Sequence, residues 1–159
     1  MSRPVSPFRV VFVCSGNICR SPMAASVFCE HVRRAGLGDL VTVSSAGVGP
    51  WHVGEPMDRR AAALLAARGY PTEHVAAQVD DHHLAADLLL AMDSGHEKAL
   101  RRLAGEKVRL LRTFDPGATG DLDVPDPYYG EDDGFGTVLA MIEAASPGLL
   151  AYIGEHVGT

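Results

Sequence analysis

The chain has 159 residues with a formal net charge of −6, and 47% of its residues are hydrophobic. This size predicts a single domain over residues 1–159, with residues 1–7 as a flexible extension, and the negative charge argues against nucleic-acid binding. With only three cysteines, no signal-peptide pattern and no uninterrupted apolar run near the roughly 20 residues of a bilayer span, we expect a cytoplasmic monomer that contacts no membrane.

Strand and helix signals alternate along the chain, which is typical of an α/β domain built on a parallel sheet. Phe8 to Cys14 is a continuous apolar, β-branched run, as expected of a strand that is covered on both faces. Ser21 and Pro22 then predict a helix start, as the N-cap and the first helical residue. We expect this helix to end near Gly36 and Cys29 to lie in its core face.

The alternation continues to the end of the chain. The patterns predict a strand over 40–46, a helix capped by Asp58 that stops at Gly69, a strand over 87–92, a helix over 95–104 and a strand over 107–111. The Gly, Pro and Asp-rich stretch over 112–133 predicts a long functional loop. The last segment has a helical period that Pro147 should kink or interrupt near Ser146.

Cys14 stands at the junction of the first strand and the first helix, where a doubly wound sheet places its ligand site. The helix N-terminus and the guanidinium of Arg20 would favour the nucleophilic thiolate form of Cys14. Arg20 could also donate two parallel hydrogen bonds to phosphate oxygens. A buried structural Cys14 beside a surface Arg20 is the alternative interpretation.

The five residues between this cysteine and this arginine are enough to curl around a tetrahedral oxyanion with their N–H groups pointing inward. They are Ser15, Gly16, Asn17, Ile18 and Cys19. Gly16 and Asn17 suit the curl because both residue types tolerate a positive φ angle. The sequence therefore predicts a phosphate-binding loop directly after the first strand.

The segment CSGNICRS, residues 14–21, resembles the active-site loop of the low-molecular-weight protein tyrosine phosphatases, Cys-x-Gly-Asn-x-Cys-Arg-Ser. The resemblance extends through residues 44–54, 92–93 and 126–130, and so covers nearly the whole chain. It implies a four-stranded parallel sheet with helices on both faces. It also implies hydrolysis of phosphotyrosine proteins and small aryl phosphates through a phosphocysteine on Cys14, without metal or cofactor, and inhibition by phosphate and other oxyanions.

A carboxyl group is needed to protonate the leaving group and then to activate water. Asp126 is the candidate because the flanking Pro125 and Pro127 restrict the backbone around it, and the resemblance assigns the same role to it. Asp121 and Asp123 are nearby alternatives, and the acidic loop could also serve only to keep the surface solvated.

Residues outside the loop are expected to support it. Ser21 could donate its hydroxyl to the Cys14 sulfur as well as cap the helix. The resemblance assigns Asn17, Ser45 and His74 to a hydrogen-bond network that holds the loop, although a lone surface histidine is the alternative for His74.

Aromatic residues are expected to set the substrate preference. Trp51, Tyr128 and Tyr129 match the family's aromatic walls, between which a phosphotyrosine ring would slide. Neighbouring tyrosines on an extended segment point to opposite sides, so one of the pair can be core or solvent-facing. Ser15, where many relatives have Leu, and His52 bear on substrate preference rather than on reaction type.

Oxidation could link Cys14 to Cys19 and shield the nucleophile, as the family does, although Cys19 could instead be a small buried residue. Two other classes of function share the loop: a thiol-dependent arsenate reductase and a non-catalytic phosphotyrosine-binding module. The reductase needs downstream cysteines, and none follows Cys29. Without cysteines or spaced histidines nearby, the pair His82 and His83 does not assemble a four-ligand zinc site.

Overall fold

A computed structural model describes residues 7–128 and 133–157. Tyr129, which the sequence places in an aromatic wall, and residues 1–6 of the predicted flexible extension lie outside the described residues.

The structure confirms the predicted α/β class, with one four-stranded parallel sheet in the order β2-β1-β3-β4. The strands are β1 Phe8–Cys14, β2 Val41–Gly47, β3 Leu88–Ala91 and β4 Val108–Leu110. The helices are α1 Arg20–Arg34, α2 Arg59–Ala67, α3 Asp81–Leu84, α4 Ser94–Ala104 and α5 Asp133–Val157, with short 3-10 helices at Gly105–Lys107 and Leu111–Phe114. Each predicted strand is present within one residue of its expected ends, and the short α3 was not predicted.

Strand β1 lies in the middle of the sheet, and the chain leaves it first toward β2 and later toward β3 on the opposite side. This reversal of direction opens a crevice at the carboxyl ends of β1 and β3. Cys14 ends β1 and Asp93 follows β3, so both residues lie at that edge.

Alternate side chains of β1 belong to two separate cores, as expected of a strand covered on both faces. Val10 and Phe12 pack in the larger core, to which α1, α2 and α5 contribute. Val11 and Val13 pack in the smaller core with Leu100 of α4. The apolar run of β1 therefore has a partner layer on each side.

Helix α1 begins two residues before the sequence predicts, at Arg20, and its N-cap is Cys19, which makes no capping hydrogen bond through its side chain within the described structure. The prediction of Ser21 as the N-cap is therefore wrong. Ser21 instead lies inside the first turn of α1, where its hydroxyl contacts the Cys14 sulfur. Pro22 stays in the first turn, where its missing N–H costs nothing.

The expectation for Cys29 is wrong, and so is the expected interruption of the last helix at Pro147, whereas the expected kink there stays a prediction. Cys29 is exposed, because it lies about 100° around the axis of α1 from the core residue Phe28, outside the buried stripe of this helix. Helix α5 is continuous through Pro147, and the Ser146 hydroxyl donates to the carbonyl of Ile142 at 2.8 Å. We attribute this continuity to packing on both sides of the proline, where Ile142 and Leu149 are fully buried.

The segment Gly134–Val157 of α5 is long and apolar enough on average to cross a membrane, with a mean hydropathy of 1.4, although polar residues such as Glu143 interrupt it. In the structure its apolar side chains form one wall of the larger core. Leu139, Ile142 and Leu149 are each no more than 1% exposed. This packing accounts for the apolar composition of the helix.

Gly148 allows α5 to approach the 3-10 helix Leu111–Phe114, since a Cβ at this position would lie 2.1 Å from the carbonyl oxygen of Phe114. We therefore predict that Gly148→Ala lowers the free energy of unfolding in urea by about 1–3 kcal/mol. The matched control is Gly154→Ala in the same helix, where no described atom outside the neighbouring residues and backbone of the helix itself lies within 4 Å of the added carbon. There alanine should be neutral or stabilise by up to about 1 kcal/mol. Equal stability of the two variants would contradict this explanation of the packing.

Candidate active site

One cleft of about 510 Å³ at the carboxyl edge of the sheet brings together most of the residues that the sequence singles out. It is lined by Cys14, Ser15, Gly16, Ile18, Cys19, Arg20, Trp51, His52, Asp126 and Tyr128. Three separate segments contribute, namely the loop after β1, the loop after β2 and the long loop before α5. The cleft has the size of an ordinary small-molecule site.

The Cys14 sulfur lies buried at the base of the cleft, with its Sγ 2.9 Å from the Ser21 Oγ. The Asn17 amide donates a proton to the same hydroxyl oxygen at 2.8 Å, so the hydroxyl proton of Ser21 remains for another acceptor. The carbonyl of Ala46 is a more distant acceptor at 3.5 Å. Ser21 is therefore placed to donate to the Cys14 sulfur and to stabilise a negative charge there.

Asn17 shapes the loop, because it is fully buried and has a φ of 61°. Its Oδ1 accepts the N–H of Ala77 at 2.9 Å, and its Nδ2 donates to Ser45 at 2.9 Å as well as to Ser21. Its carbonyl lies 2.6 Å from the Nε2 of His74. The supporting network that the resemblance implies is thus assembled around one left-handed residue.

His74 is half-buried against the loop, in contrast to a lone surface histidine. Burial lowers the pKa of His74, and the hydrogen bond to the Asn17 carbonyl offsets this only in part. A carbonyl oxygen can only accept, so Nε2 carries the ring proton. At neutral pH we therefore describe His74 as a neutral donor that holds the backbone of Asn17.

The start of the loop rests directly on the end of β2. The N–H of Val48 donates to the Cys14 carbonyl at 2.8 Å, and that of Gly49 donates to the Ser15 carbonyl at 3.0 Å. A Cβ on Gly47 would lie 2.9 Å from the Ser15 carbonyl oxygen, so only glycine allows this approach without a shift. Sequence reasoning did not assign a role to Gly47.

Arg20 is held almost fully buried, with its side chain 4% exposed. Its Nη1 donates to the Asp93 carboxylate and to the Val124 carbonyl, both at 2.9 Å. Its Nη2 lies 3.6 Å from the Asp126 carboxylate. These contacts aim the guanidinium at the cleft, as recognition of phosphate by two hydrogen bonds requires.

Asp93 is a functional residue that sequence reasoning quoted within the resemblance but gave no role. Burial alone would raise its pKa, but the hydrogen bonds from the His96 N–H and the Arg20 guanidinium, together with the Arg20 charge, hold the pKa of Asp93 below its ordinary value. It is therefore a carboxylate that neutralises Arg20. An aspartate between a buried strand and a helix start is the sequence signal that could have found it.

Among the described residues, Asp126 supplies the only carboxylate that lines the cleft. Its side chain is 39% exposed, and its Oδ1 accepts the N–H of Tyr128 at 3.0 Å. The alternatives are used elsewhere in the loop. Asp123 accepts the N–H of Ser94 at 2.8 Å, and Asp121 accepts that of Asp123 at 2.9 Å. The geometry thus favours Asp126 as the acid.

Arg60, which sequence reasoning did not identify, clamps the loop that carries Asp126. Its Nη2 donates to the Tyr128 carbonyl at 3.0 Å and to the Asp58 carboxylate at 3.1 Å. Its guanidinium also lies over the Phe135 ring, 4.6 Å from the centroid. The acid loop is therefore tied to the start of α2 and to α5.

Aromatic side chains form the walls of the cleft, as expected. Trp51 is 68% exposed, and its ring lies so close to Gly49 that a Cβ there would be 2.1 Å from a ring carbon. His52 contacts Gly16 in a similar way, and its ring centroid is 6.2 Å from that of Tyr128. A flat ring entering between these walls would meet the phosphate-binding loop at the base.

Cys14 and Cys19 are both free thiols in the described structure. Burial, with a contribution from the Asp58 charge, raises the pKa of Cys19 to about 12, so Cys19 is protonated at neutral pH. The Cys14–Cys19 disulfide stays a prediction. Among residues 7–128 and 133–157 there is no group of three or more His, Cys, Asp and Glu side chains that could hold a metal ion.

Comparisons with known proteins agree with this geometry. The family model for low molecular weight phosphotyrosine protein phosphatases matches residues 9–158. A relative from Mycobacterium tuberculosis, named low molecular weight protein-tyrosine phosphatase A, is 55% identical over 154 residues, which are 95% of this chain and 94% of the relative.

Solved structures show the same fold. The structure of YfkJ from Bacillus subtilis, a protein named as a low molecular weight protein-tyrosine phosphatase, matches with a TM-score of 0.88 and 34% identity over 96% of this chain and 98% of that one. A structure of the YwlE arginine phosphatase matches with a TM-score of 0.80 and 31% identity over 91% of this chain and 95% of that one.

Proposed function

This chain belongs to the low molecular weight phosphotyrosine protein phosphatase family, and we propose that it hydrolyses phosphotyrosine through a phosphocysteine formed on Cys14. Its enzyme class is that of the named relatives, protein-tyrosine phosphatase. One observation carries the mechanism: Cys14, Arg20 and Asp126 line a single cleft whose base is a curled loop.

In the first step the Cys14 thiolate attacks phosphorus, so that an S–P bond forms while the P–O bond to the phenol breaks. The loop N–H groups and the Arg20 guanidinium stabilise the charge on the equatorial oxygens. Asp126 transfers its proton to the leaving phenolate oxygen. The products of this step are the free phenol, a phosphocysteine and the Asp126 carboxylate.

In the second step the Asp126 carboxylate removes a proton from a water molecule as that water attacks phosphorus. The P–O bond to water forms, the S–P bond breaks and the sulfur leaves as a thiolate. The Ser21 hydroxyl, 2.9 Å from this sulfur, stabilises the thiolate as a leaving group. Release of phosphate restores the starting enzyme.

The aromatic walls support a phosphotyrosine substrate over an aliphatic phosphoester. Trp51 and Tyr128 stand at the mouth of the cleft and Cys14 lies buried at its base, so the substrate has to bridge the distance between them. A phosphotyrosine ring can stack on the walls while its phosphate reaches the loop. Phosphoserine lacks the ring, so its phosphate is attached directly to Cβ and it gains no such contact.

The rival functions are less well supported. A thiol-dependent arsenate reductase would need cysteines after Cys29, and the sequence contains none there. A module that binds without catalysis would have no use for a carboxylic acid aimed beside Arg20. The solved structure that is titled an arginine phosphatase is 31% identical to this chain, whereas the relative named a protein-tyrosine phosphatase is 55% identical to it.

Asp126→Ala tests the acid role. We expect kcat/KM on a phosphotyrosine peptide, which reports the steps up to release of the phenol, to fall by about 10²–10⁴-fold, because this poor leaving group must then leave without a proton. The loss should be much smaller for an aryl phosphate with a strongly activated leaving group. Steady-state kinetics on both substrates provide the measurement, with Asp121→Ala as the matched control. Equal losses on the two substrates would remove Asp126 from this role.

A panel of peptides with one shared sequence and phosphotyrosine, phosphoserine or phosphoarginine at the same position tests the substrate class. We expect the highest kcat/KM for phosphotyrosine, because its ring stacks on the walls. Trp51→Ala should lower that value by about two- to tenfold, and Val53→Ala, an exposed residue of the same loop, should not. Faster turnover of phosphoarginine or phosphoserine would overturn the proposed specificity.

A further inference from the structure

His96 contacts the phosphate-binding loop from an element to which the mechanism gives no part. It lies in the first turn of α4, and its side chain is 8% exposed. Its Nε2 is 2.9 Å from the Oγ of Ser15, the residue that follows the nucleophile. The Ser15 side chain is thus bonded to α4, although Ser15 also lines the cleft.

The same helix start also holds the phosphate-binding guanidinium. Asp93, the N-cap of α4, accepts the N–H of His96 on its Oδ1 and the Nη1 proton of Arg20 on its Oδ2, both at 2.9 Å. The Oδ1 lies 3.2 Å from the Nδ1 of the His96 ring. One carboxylate therefore links the histidine to Arg20.

The protonation of His96 follows from these neighbours. Burial lowers the pKa of His96, and the Asp93 charge offsets this only in part, so the ring is neutral at pH 7. Nδ1 makes no well-aligned hydrogen bond within the described structure, but it faces a carboxylate oxygen that would repel a lone pair. The single ring proton is thus favoured on Nδ1, which leaves Nε2 to accept the Ser15 hydroxyl proton.

We propose that His96 is a positioning residue for dephosphorylation. By its hydrogen bond to Ser15 it fixes the position of the start of the phosphate-binding loop relative to the Arg20 guanidinium. The inference rests on the proposed function. Loop amides and guanidinium come from opposite ends of the loop, and both are anchored to the first turn of α4. Small misplacements of such groups weaken the stabilisation of a transition state.

A second copy of the same local pattern shows which part of it is special. Asp80 and His83 also form an Asp-x-x-His cap, at the start of α3, where the Asp80 carboxylate accepts the N–H of His83 at 3.0 Å. There the ring Nδ1 accepts the N–H of Asp80 at 3.1 Å. The cap alone therefore accounts for an aspartate and a histidine at this spacing, whereas the contact with Ser15 is particular to His96.

The test compares five variants with the parent protein, by steady-state kinetics on an aryl phosphate and by competitive inhibition with vanadate. They are His96→Ala, His96→Gln, Ser15→Ala, the double alanine variant and His83→Ala. We expect His96→Ala and Ser15→Ala each to lower kcat/KM and to weaken vanadate inhibition by about three- to tenfold, as loss of one hydrogen bond implies.

Three further results are expected. The double variant should lose no more than either single variant, because both remove the same contact. His96→Gln, whose amide oxygen can accept the Ser15 proton, should recover most of the activity. His83→Ala should match the parent, because it removes a histidine from the same kind of cap outside the cleft.

Additive losses in the double variant, or a glutamine variant no better than the alanine variant, would overturn the inference. The melting temperature of each variant shows whether a loss of activity comes from a loss of folded structure. If His96→Ala is destabilised, Ser15→Ala, a change on the loop surface, decides the question alone, and unchanged kinetics there overturn the inference. A parent protein without phosphatase activity overturns the proposed function as well, whereas an active parent with unaffected variants overturns only the role of His96.

Discussion

The site depends on the left-handed backbone of Asn17, which turns the chain sharply between the nucleophile's strand and α1. A residue other than glycine adopts such a φ angle at a cost, so the surrounding structure must hold it there. The described contacts meet this need, since the side-chain oxygen, the side-chain nitrogen and the carbonyl of Asn17 each have a hydrogen-bond partner. The curl directs the loop toward the cleft and places Ser21 beside the Cys14 sulfur.

The sheet topology explains why the other reacting groups meet at this turn. Reversal of the strand order between β1 and β3 places Asp93 next to the start of α1, where it neutralises Arg20. The long loop before α5 then crosses the same edge and brings Asp126 toward the guanidinium. Arg60 holds this loop from the side of α2. Nucleophile, phosphate ligand and acid are thus supported by separate elements that share one crevice.

Local patterns were sufficient to predict the strands, the loop and the main helices, because each depends on neighbouring residues. The N-cap expectation for Ser21 failed because the hydroxyl is used by the sulfur, a requirement that capping statistics do not include. The continuity of α5 at Pro147 shows tertiary packing overriding a local preference. Arg60 and His96 were missed for a different reason. Their partners lie 68 and 81 residues away in sequence, so only the folded chain shows the contacts.

The central claim is that phosphate passes through a covalent bond to Cys14, and the enzyme trapped during turnover tests it most directly. Protein mixed with an aryl phosphate would be denatured within one turnover in alkali and digested, and the peptide that carries Cys14 would be analysed by mass spectrometry. The account predicts a phosphate on the Cys14 sulfur, which appears before the free phosphate and is absent from Cys14→Ala. Turnover with Cys14 unmodified throughout, or with the phosphate carried on another side chain, would contradict it.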